Sequence, residues 1–107
     1  MCGIAGAIGQ IDGEILEAVR RMSAAQFHRG PDSDGFWRSD PTDNGVGVVL
    51  AHRRLAIIDL TEDGHQPMAD PATGNVIDFN GEIYNFQELR RELQQDGASF
   101  RSRVSSE

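Results

Sequence analysis

The 107-residue sequence predicts an α+β fold. Segments with strand-like patterns outnumber the two helix-like segments, and short connections join consecutive segments. Short connections favour antiparallel pairing of neighbouring strands, because parallel neighbours need a crossover of roughly a dozen residues or more. The chain shows no internal repeat, and its length predicts one domain with a modest hydrophobic core.

The first part of the chain predicts a strand, a helix and a loop. Residues 2–8 form the strand, whose small residues on both faces suit close packing between two layers. The helix begins after Asp12, its expected N-cap, and runs to about residue 27. Its apolar residues recur at helical spacing: Ile15, Leu16, Val19 and Met22. Residues 28–37 are rich in Gly, Pro and Asp and predict a loop whose last two residues return to strand.

The middle of the chain predicts two pairs of strands. Residues 46–51 and 54–60 form two strands interrupted near His52 and Arg53, and a turn follows at 61–64. Residues 68–70 and 76–80 form the arms of a hairpin. In its turn, Gly74 and Asn75 can take positive φ. Met22 and Met68 are expected in the core.

A second helix is predicted near the end of the chain. Asn85 is its expected N-cap, with Glu88 three residues later as in a capping box, and Gly97 is its expected stop. The apolar stripe consists of Phe86, Leu89 and Leu93. A further strand is expected to start at Ala98, and the sequence ends inside it.

Composition excludes several classes of function. The 17 acidic and 10 basic residues give a net charge of −7, which argues against binding to a nucleic-acid backbone. A single cysteine excludes an internal disulfide and fits a reducing cytoplasm. The apolar start of the chain lacks a basic flank, and Asp12 follows too soon for a signal peptide or a membrane span. The three histidines lack the close spacing of metal ligands, so no metal site is expected.

Cys2 is the first candidate for chemistry, because removal of Met1 would make it the N-terminal residue. A thiol is a strong nucleophile only as the thiolate, and an α-amine on the same residue can take its proton near neutral pH. The amine then replaces the histidine of a catalytic triad. The alternative is a cysteine that serves only as a small apolar residue.

Five strings occur in a fixed order: MCGIAGAIG, HRGPD, AHRRLAIIDL, HQPM and NGEIYN. Together they resemble the N-terminal glutaminase domain of glutamine-hydrolysing asparagine synthetase, a class II glutamine amidotransferase, over the whole chain. The resemblance implies a four-layer α/β/β/α sandwich of the Ntn-hydrolase type. Residues 1–107 would supply only the N-terminal part of that glutaminase domain, and the ATP-dependent synthetase domain would be absent.

The resemblance also implies roles in glutamine hydrolysis. The Cys2 thiolate attacks the side-chain amide carbon of glutamine, ammonia leaves, and water hydrolyses the γ-glutamyl thioester. Asn80 and Gly81 match the oxyanion hole, through a side-chain amide and a backbone N–H. Glycine would permit unusual backbone angles and close approach there. Taken without the resemblance, Asn-Gly also fits a simple turn that ends a strand.

The remaining matched residues would bind glutamine, together with Asn80 and Gly81. Arg54 matches the clamp on the α-carboxylate, whereas Arg53 is expected to be solvated. Glu82 would help hold the polar end of the substrate. The pocket would be lined by Leu55, Ala56, Ile57 and Ile58. Residues 28–32 would shape the pocket wall without a chemical step.

Ser105 departs from the family pattern, because it occupies the position of an aspartate that pairs with the α-ammonium of glutamine. Losing one charge-assisted hydrogen bond costs roughly 1.5 to 3 kcal/mol, about ten- to a hundredfold in affinity. The sequence therefore predicts weakened glutamine binding.

The resemblance implies no cofactor for the glutaminase step, and ATP with Mg²⁺ in the full-length enzyme. Its partners would be glutamine and a synthetase domain or companion chain, and the full-length enzyme could form a homodimer. Two alternatives remain open at this point. The chain could be a non-catalytic fragment or degenerate copy, or the glutaminase part of another amidotransferase of the same branch, such as one from a polysaccharide cluster.

Overall fold

The computed structural model describes residues 1–56 and 64–100. Its elements, in chain order, are β1 (Gly3–Gln10), α1 (Gly13–Ala25), β2 (Ser33–Arg38), β3 (Val46–Arg54), β4 (Met68–Ala69), β5 (Val76–Ile77) and α2 (Phe86–Gln95). All strand pairs within these elements are antiparallel, which confirms the predicted α+β class. No helix in the described part of the chain is long and apolar enough to cross a membrane.

The main sheet has three strands in the order β1-β3-β2, with β3 in the centre. The predicted interruption of β3 is wrong, since His52 lies opposite both Ile4 and Gly35 and Arg53 is paired on both sides as well. Pairing with two neighbours carries these polar residues into the strand, because strand formation depends strongly on tertiary context. Strand β2 begins at Ser33, earlier than expected, because residues 33–35 pair with β3.

Helix α1 covers one face of the sheet. The Asp12 carboxylate accepts a hydrogen bond from the Ile15 N–H at 2.9 Å, which confirms the predicted cap. The core consists of Val19, Val49 and Ala51, all almost fully buried. Met22 is 43 % exposed, so its expected place in the core is wrong. The buried stripe of α1 runs through Val19 and Ser23 instead.

Strand β1 is covered closely on one face. Ala5 and Ala7 pack toward the core, whereas Ile4 and Ile8 on the other face are exposed. The alternation expected of a strand is present. The expectation of close packing on both faces is not met by the described residues.

The predicted hairpin forms, with Met68 opposite Ile77, but its arms are shorter than expected: β4 ends at Ala69 and β5 ends at Ile77. Met68 is buried, as expected. Gly74 has a φ of +76°, whereas Asn75 does not take positive φ. The Asp70 carboxylate accepts hydrogen bonds from Ala72 and Thr73, and these bonds close the turn.

Helix α2 has the predicted bounds but little packing. Asn85 is its N-cap residue, but its side chain makes no capping hydrogen bond, because its backbone is not in the extended conformation that directs a capping side chain to the helix. Gly97 has a φ of +98° and ends the helix as predicted. No residue of α2 is buried. Residues 98–100 are not strand, and the rest of the predicted last strand lies outside the described residues.

Candidate active site

Cys2 lies immediately before β1 and is half-buried. The N–H of Leu55, just past the end of β3, donates to the Cys2 Sγ at 3.4 Å. The thiol in turn lies 3.9 Å from the Leu55 carbonyl oxygen, to which it can donate. The register of β1 against β3 explains this contact, since Gly3 lies opposite Arg53. The sheet therefore fixes the thiol of Cys2, the only cysteine in the sequence, beside Leu55.

The loop after α1 holds Cys2 from the other side. The Arg29 Nε donates to the Cys2 carbonyl oxygen at 3.0 Å. Gly30 is buried, and a Cβ on it would overlap the Arg53 carbonyl group and the Arg54 nitrogen. Only glycine allows the loop to lie this close to the central strand.

Asp32 completes the attachment of this loop to the end of β3. Its backbone N–H donates to the Arg54 carbonyl oxygen at 3.0 Å, and its carboxylate accepts from the Ala56 N–H at 2.8 Å. We call the set formed by Cys2, residues 29–32 and residues 53–56 the Cys2 cluster. The resemblance suggested only a pocket wall for residues 28–32, whereas their contacts hold the cysteine and the strand end in place.

The two arginines that end β3 are both removed from solvent. Arg54 is buried, at 7 % exposure, and its neighbour Leu55 carries the contact with the thiol. The expectation that Arg53 is solvated is wrong, because its side chain is only 12 % exposed. Its Nε donates to the Gly30 carbonyl oxygen at 3.0 Å, and its guanidinium lies over the Phe27 ring at 5.0 Å. Arg53 thus helps fasten the loop to the strand.

Asn80, Gly81 and Glu82 lie in the connection between β5 and α2. Asn80 is half-buried, and the other two residues are exposed. Gly81 does not have a positive φ, so unusual backbone angles do not explain the glycine. A Cβ on Gly81 would lie 2.7 Å from the far end of the Phe79 ring, a side chain that would have to move. The described contacts do not join these residues directly to Cys2. Ile57, Ile58 and Ser105 lie outside the described residues.

A buried histidine and aspartate connect this region to the main sheet. The Nδ1 of His52, on β3, lies 2.6 Å from the Oδ1 of Asp78, and the two side chains are 1 % and 4 % exposed. We call residues 78–82 the Asn80 segment. No sequence pattern predicts this contact, because a lone histidine and a lone aspartate 26 positions apart form no motif.

Within residues 1–56 and 64–100, no group of three histidine, cysteine or acidic residues is placed to hold a metal ion. The arrangement offers a thiol held at the end of β3, where the buried residue Arg54 lies. A thiol can attack an acyl carbon, and a guanidinium can hold a carboxylate through two hydrogen bonds.

The chain belongs to the family described as the glutamine amidotransferase domain, whose model matches residues 1–107. This match confirms the class indicated by the five ordered strings.

Its relatives at about 40 % identity are named asparagine synthetases. It is 40 % identical to asparagine synthetase [glutamine-hydrolyzing] 1 of Bacillus subtilis, over 100 % of this chain and 16 % of that protein. It is 42 % identical to asparagine synthetase [glutamine-hydrolyzing] of Brassica oleracea, and 41 % to asparagine synthetase [glutamine-hydrolyzing] 1 of Arabidopsis thaliana, in each case over 88 % of this chain and 15 % of the relative. The chain therefore spans less than a fifth of the length of these relatives. No solved structure matches it.

Proposed function

We propose that this chain supplies the glutamine-hydrolysing site of an asparagine-synthetase-type enzyme. The observation that carries the proposal is the position of Cys2, whose sulfur is held 3.4 Å from the Leu55 N–H, next to the buried Arg54. Family membership supports the same reaction. Removal of Met1, which is 73 % exposed, would free the α-amine of Cys2.

In the first half-reaction the Cys2 amine takes the thiol proton, and the thiolate forms a bond to the side-chain amide carbon of glutamine. The carbonyl electrons move to oxygen, where the Asn80 amide and the Gly81 N–H would donate. Collapse of this intermediate breaks the carbon–nitrogen bond. The proton held by the amine passes to the leaving nitrogen, and ammonia departs.

In the second half-reaction the amine takes a proton from water as the water oxygen attacks the thioester carbon. The oxyanion forms again at the same place, then the carbon–sulfur bond breaks and the thiolate recovers the proton. The products are glutamate, ammonia and the original Cys2. The two half-reactions together consume one glutamine and one water.

Substrate binding is assigned to the residues around this centre. Arg54 would hold the α-carboxylate of glutamine by a bidentate contact, while Leu55 and Ala56 line the pocket. Glu82 would hold the polar end of the substrate. Ile57, Ile58 and Ser105 keep their proposed binding roles, with Ser105 giving weaker binding than an aspartate would.

The wider context is part of the same proposal. The described layers would belong to a four-layer Ntn-type sandwich, of which residues 1–107 are a part. Amidation of aspartate with ATP and Mg²⁺ would belong to the portion of the relatives that this chain does not match, and no described residue is assigned to either group. The enzyme would act in the cytoplasm, and its full-length form could be a homodimer.

The test is an intact-mass measurement before and after exposure to a diazo-ketone analogue of glutamine, with Cys2→Ala as the matched control. We expect loss of Met1 and a single adduct that is absent in the control variant. Glutamine hydrolysis should fall to background in Cys2→Ala. Retained hydrolysis in that variant would refute the role given to the thiol.

A further inference from the structure

We propose that His52 and Asp78 form a positioning pair that fixes Asn80 and Gly81 relative to Cys2. The inference rests on the proposed function, since it concerns the placement of the oxyanion donors against the nucleophile. Neither residue has been assigned a role in catalysis or in glutamine binding, and neither is expected to contact glutamine. The pair acts through the two segments that it joins.

His52 connects the pair to the main sheet. It lies on the central strand, two residues before Arg54 and three before Leu55, whose N–H contacts the Cys2 sulfur. Its backbone is paired with Ile4 on one side and Gly35 on the other. His52 is therefore fixed in the same rigid strand that places the thiol.

Asp78 lies two residues before Asn80, a stretch of chain that spans at most about 7 Å. The preceding strand β5 has only two residues and pairs with the equally short β4. The hydrogen bond between His52 and Asp78 is thus a direct tie between β3 and the Asn80 segment.

A second anchor lies at the next residue. The Phe79 N–H donates to the Gln66 Oε1 at 2.7 Å, and Gln66 is buried. The Gln66 carbonyl oxygen comes so close to Gly35 that a Cβ there would collide with it. Since Gly35 lies opposite His52, both anchors reach the same part of the sheet. Asn80 therefore follows two consecutive residues that are tied to the strands beside the thiol.

The burial of the pair costs free energy of folding. The His52 Nε2 and the Asp78 Oδ2 are buried, and within the described residues neither has a hydrogen-bond partner. A half-satisfied buried polar pair stabilises a fold less than apolar side chains of the same size would. Stability alone does not account for it, whereas a need to fix one segment against another does. Polar pairs serve this purpose because their geometry is directional.

The test uses steady-state glutamine hydrolysis by the protein in its natural length. Asp78→Asn keeps an acceptor oxygen at the same place, whereas Asp78→Glu keeps the charge but is one methylene longer. If the pair positions the Asn80 segment, the kcat of Asp78→Asn should stay within about threefold of the parent value. Asp78→Glu should lose about ten- to a hundredfold in kcat, because misplacement of about 1 Å costs this much. In Asp78→Glu, KM should change less than kcat does, since Arg54, Leu55 and Ala56, the proposed glutamine-binding residues at the end of β3, are untouched.

Two further measurements separate placement from general loss of structure. The rate of Cys2 alkylation by iodoacetamide, followed by peptide mapping, does not need an oxyanion hole and should be unchanged in Asp78→Glu. Val19→Ala is the matched control. Val19, on α1, is fully buried against Val49 and Ala51, on the face of β3 opposite to His52, so its truncation lowers stability without altering the pair. It should keep kcat at a temperature where it is folded.

The outcomes are distinguishable. A parent protein that hydrolyses no glutamine and takes no Cys2 adduct overturns the proposed function and this inference together. An active parent whose Asp78→Glu variant keeps its kcat, or whose Asp78→Asn variant is the weaker of the two, overturns the positioning pair alone. A loss of kcat in Val19→Ala equal to that in Asp78→Glu would also overturn the positioning pair alone. His52→Asn, whose amide nitrogen can donate to Asp78 in place of Nδ1, repeats the test if a variant at position 78 does not fold.

Discussion

The Cys2 cluster and the Asn80 segment are both assigned to the proposed active site but are built differently. The Cys2 cluster is held by backbone and side-chain hydrogen bonds from β1, β3 and the loop after α1. The Asn80 segment follows a two-residue strand, leads into a helix without a buried residue, and is tied to the main sheet near its start. The proposed nucleophile, Cys2, is thus placed by the sheet itself, and the proposed oxyanion donors by a few contacts.

This difference affects how each region responds to substitution. A substitution in the Cys2 cluster disturbs atoms of the central strand, so the free energy of unfolding and the activity should fall together. Near Asn80 few core atoms are involved, so activity should fall with little loss of stability. Buried, well-connected parts of a protein open only with global unfolding, whereas sparsely packed parts open locally.

The largest expected effect is that of Gly30→Ala. The added Cβ would overlap the backbone of Arg53 and Arg54, which cannot move without disturbing the central strand. We expect a loss of about 3 kcal/mol in the free energy of unfolding, at the high end of the overpacking range. Urea unfolding of the purified protein measures it.

Gly13→Ala is the matched control for that substitution. Gly13 begins α1, has no positive φ, and an added Cβ would meet no atom within 4 Å. Alanine favours the helix over glycine by up to about 1 kcal/mol, so this variant should be neutral or slightly more stable. A Gly30→Ala variant as stable as Gly13→Ala would mean that the loop does not lie on β3 as described.

The next effect is that of Arg29→Met, which removes the hydrogen bond to the Cys2 carbonyl oxygen but keeps an unbranched side chain. We expect glutamine hydrolysis to fall by about ten- to a hundredfold in kcat, because the nucleophile loses one of its fixed contacts. The measurement is kcat and KM for glutamine. Arg38→Met, at an exposed position at the end of β2, is the control and should change neither value by more than about twofold. Equal losses in the two variants would contradict the special role of Arg29.

The sequence predicted the parts of this molecule that depend on local chemistry. Asp12 caps α1 because its carboxylate needs only the next turn of the chain, and Gly74 and Gly97 take positive φ where turn and helix stop require it. Cys2 could be singled out because its proposed chemistry depends on its position at the start of the chain.

What the sequence could not predict depends on partners far away in the chain. The strand character of His52 comes from β1 and β2, which lie opposite it, and the burial of Arg53 comes from the loop that carries Gly30. Asp78 carries no motif, and its contact with His52 appears only once the hairpin is placed on the sheet. Long-range pairing outweighs local propensity at each of these positions.

The smallest expected effect compares the two helix caps. Asp12→Ala removes the hydrogen bond to the Ile15 N–H and should cost about 1 kcal/mol in the free energy of unfolding. Asn85→Ala removes a side chain that makes no capping bond and should cost less than about 0.5 kcal/mol. Both are measured by urea unfolding under the same conditions.

The comparison of caps also tests where α2 gains its stability. Asn85 has an N-cap backbone with φ of −99° and ψ of 28°, so the side chain does not reach the first turn of the helix. If Asn85→Ala cost as much as Asp12→Ala, the cap would have to form in solution, and the segment that leads from Asn80 into α2 would be more ordered than its contacts indicate. Equal and small losses would instead show that α1 is held by Val19 and the sheet rather than by its cap. We expect the stability of α1 to depend on its cap and that of α2 not to. This difference would match the many contacts of the Cys2 cluster and the few contacts of the Asn80 segment.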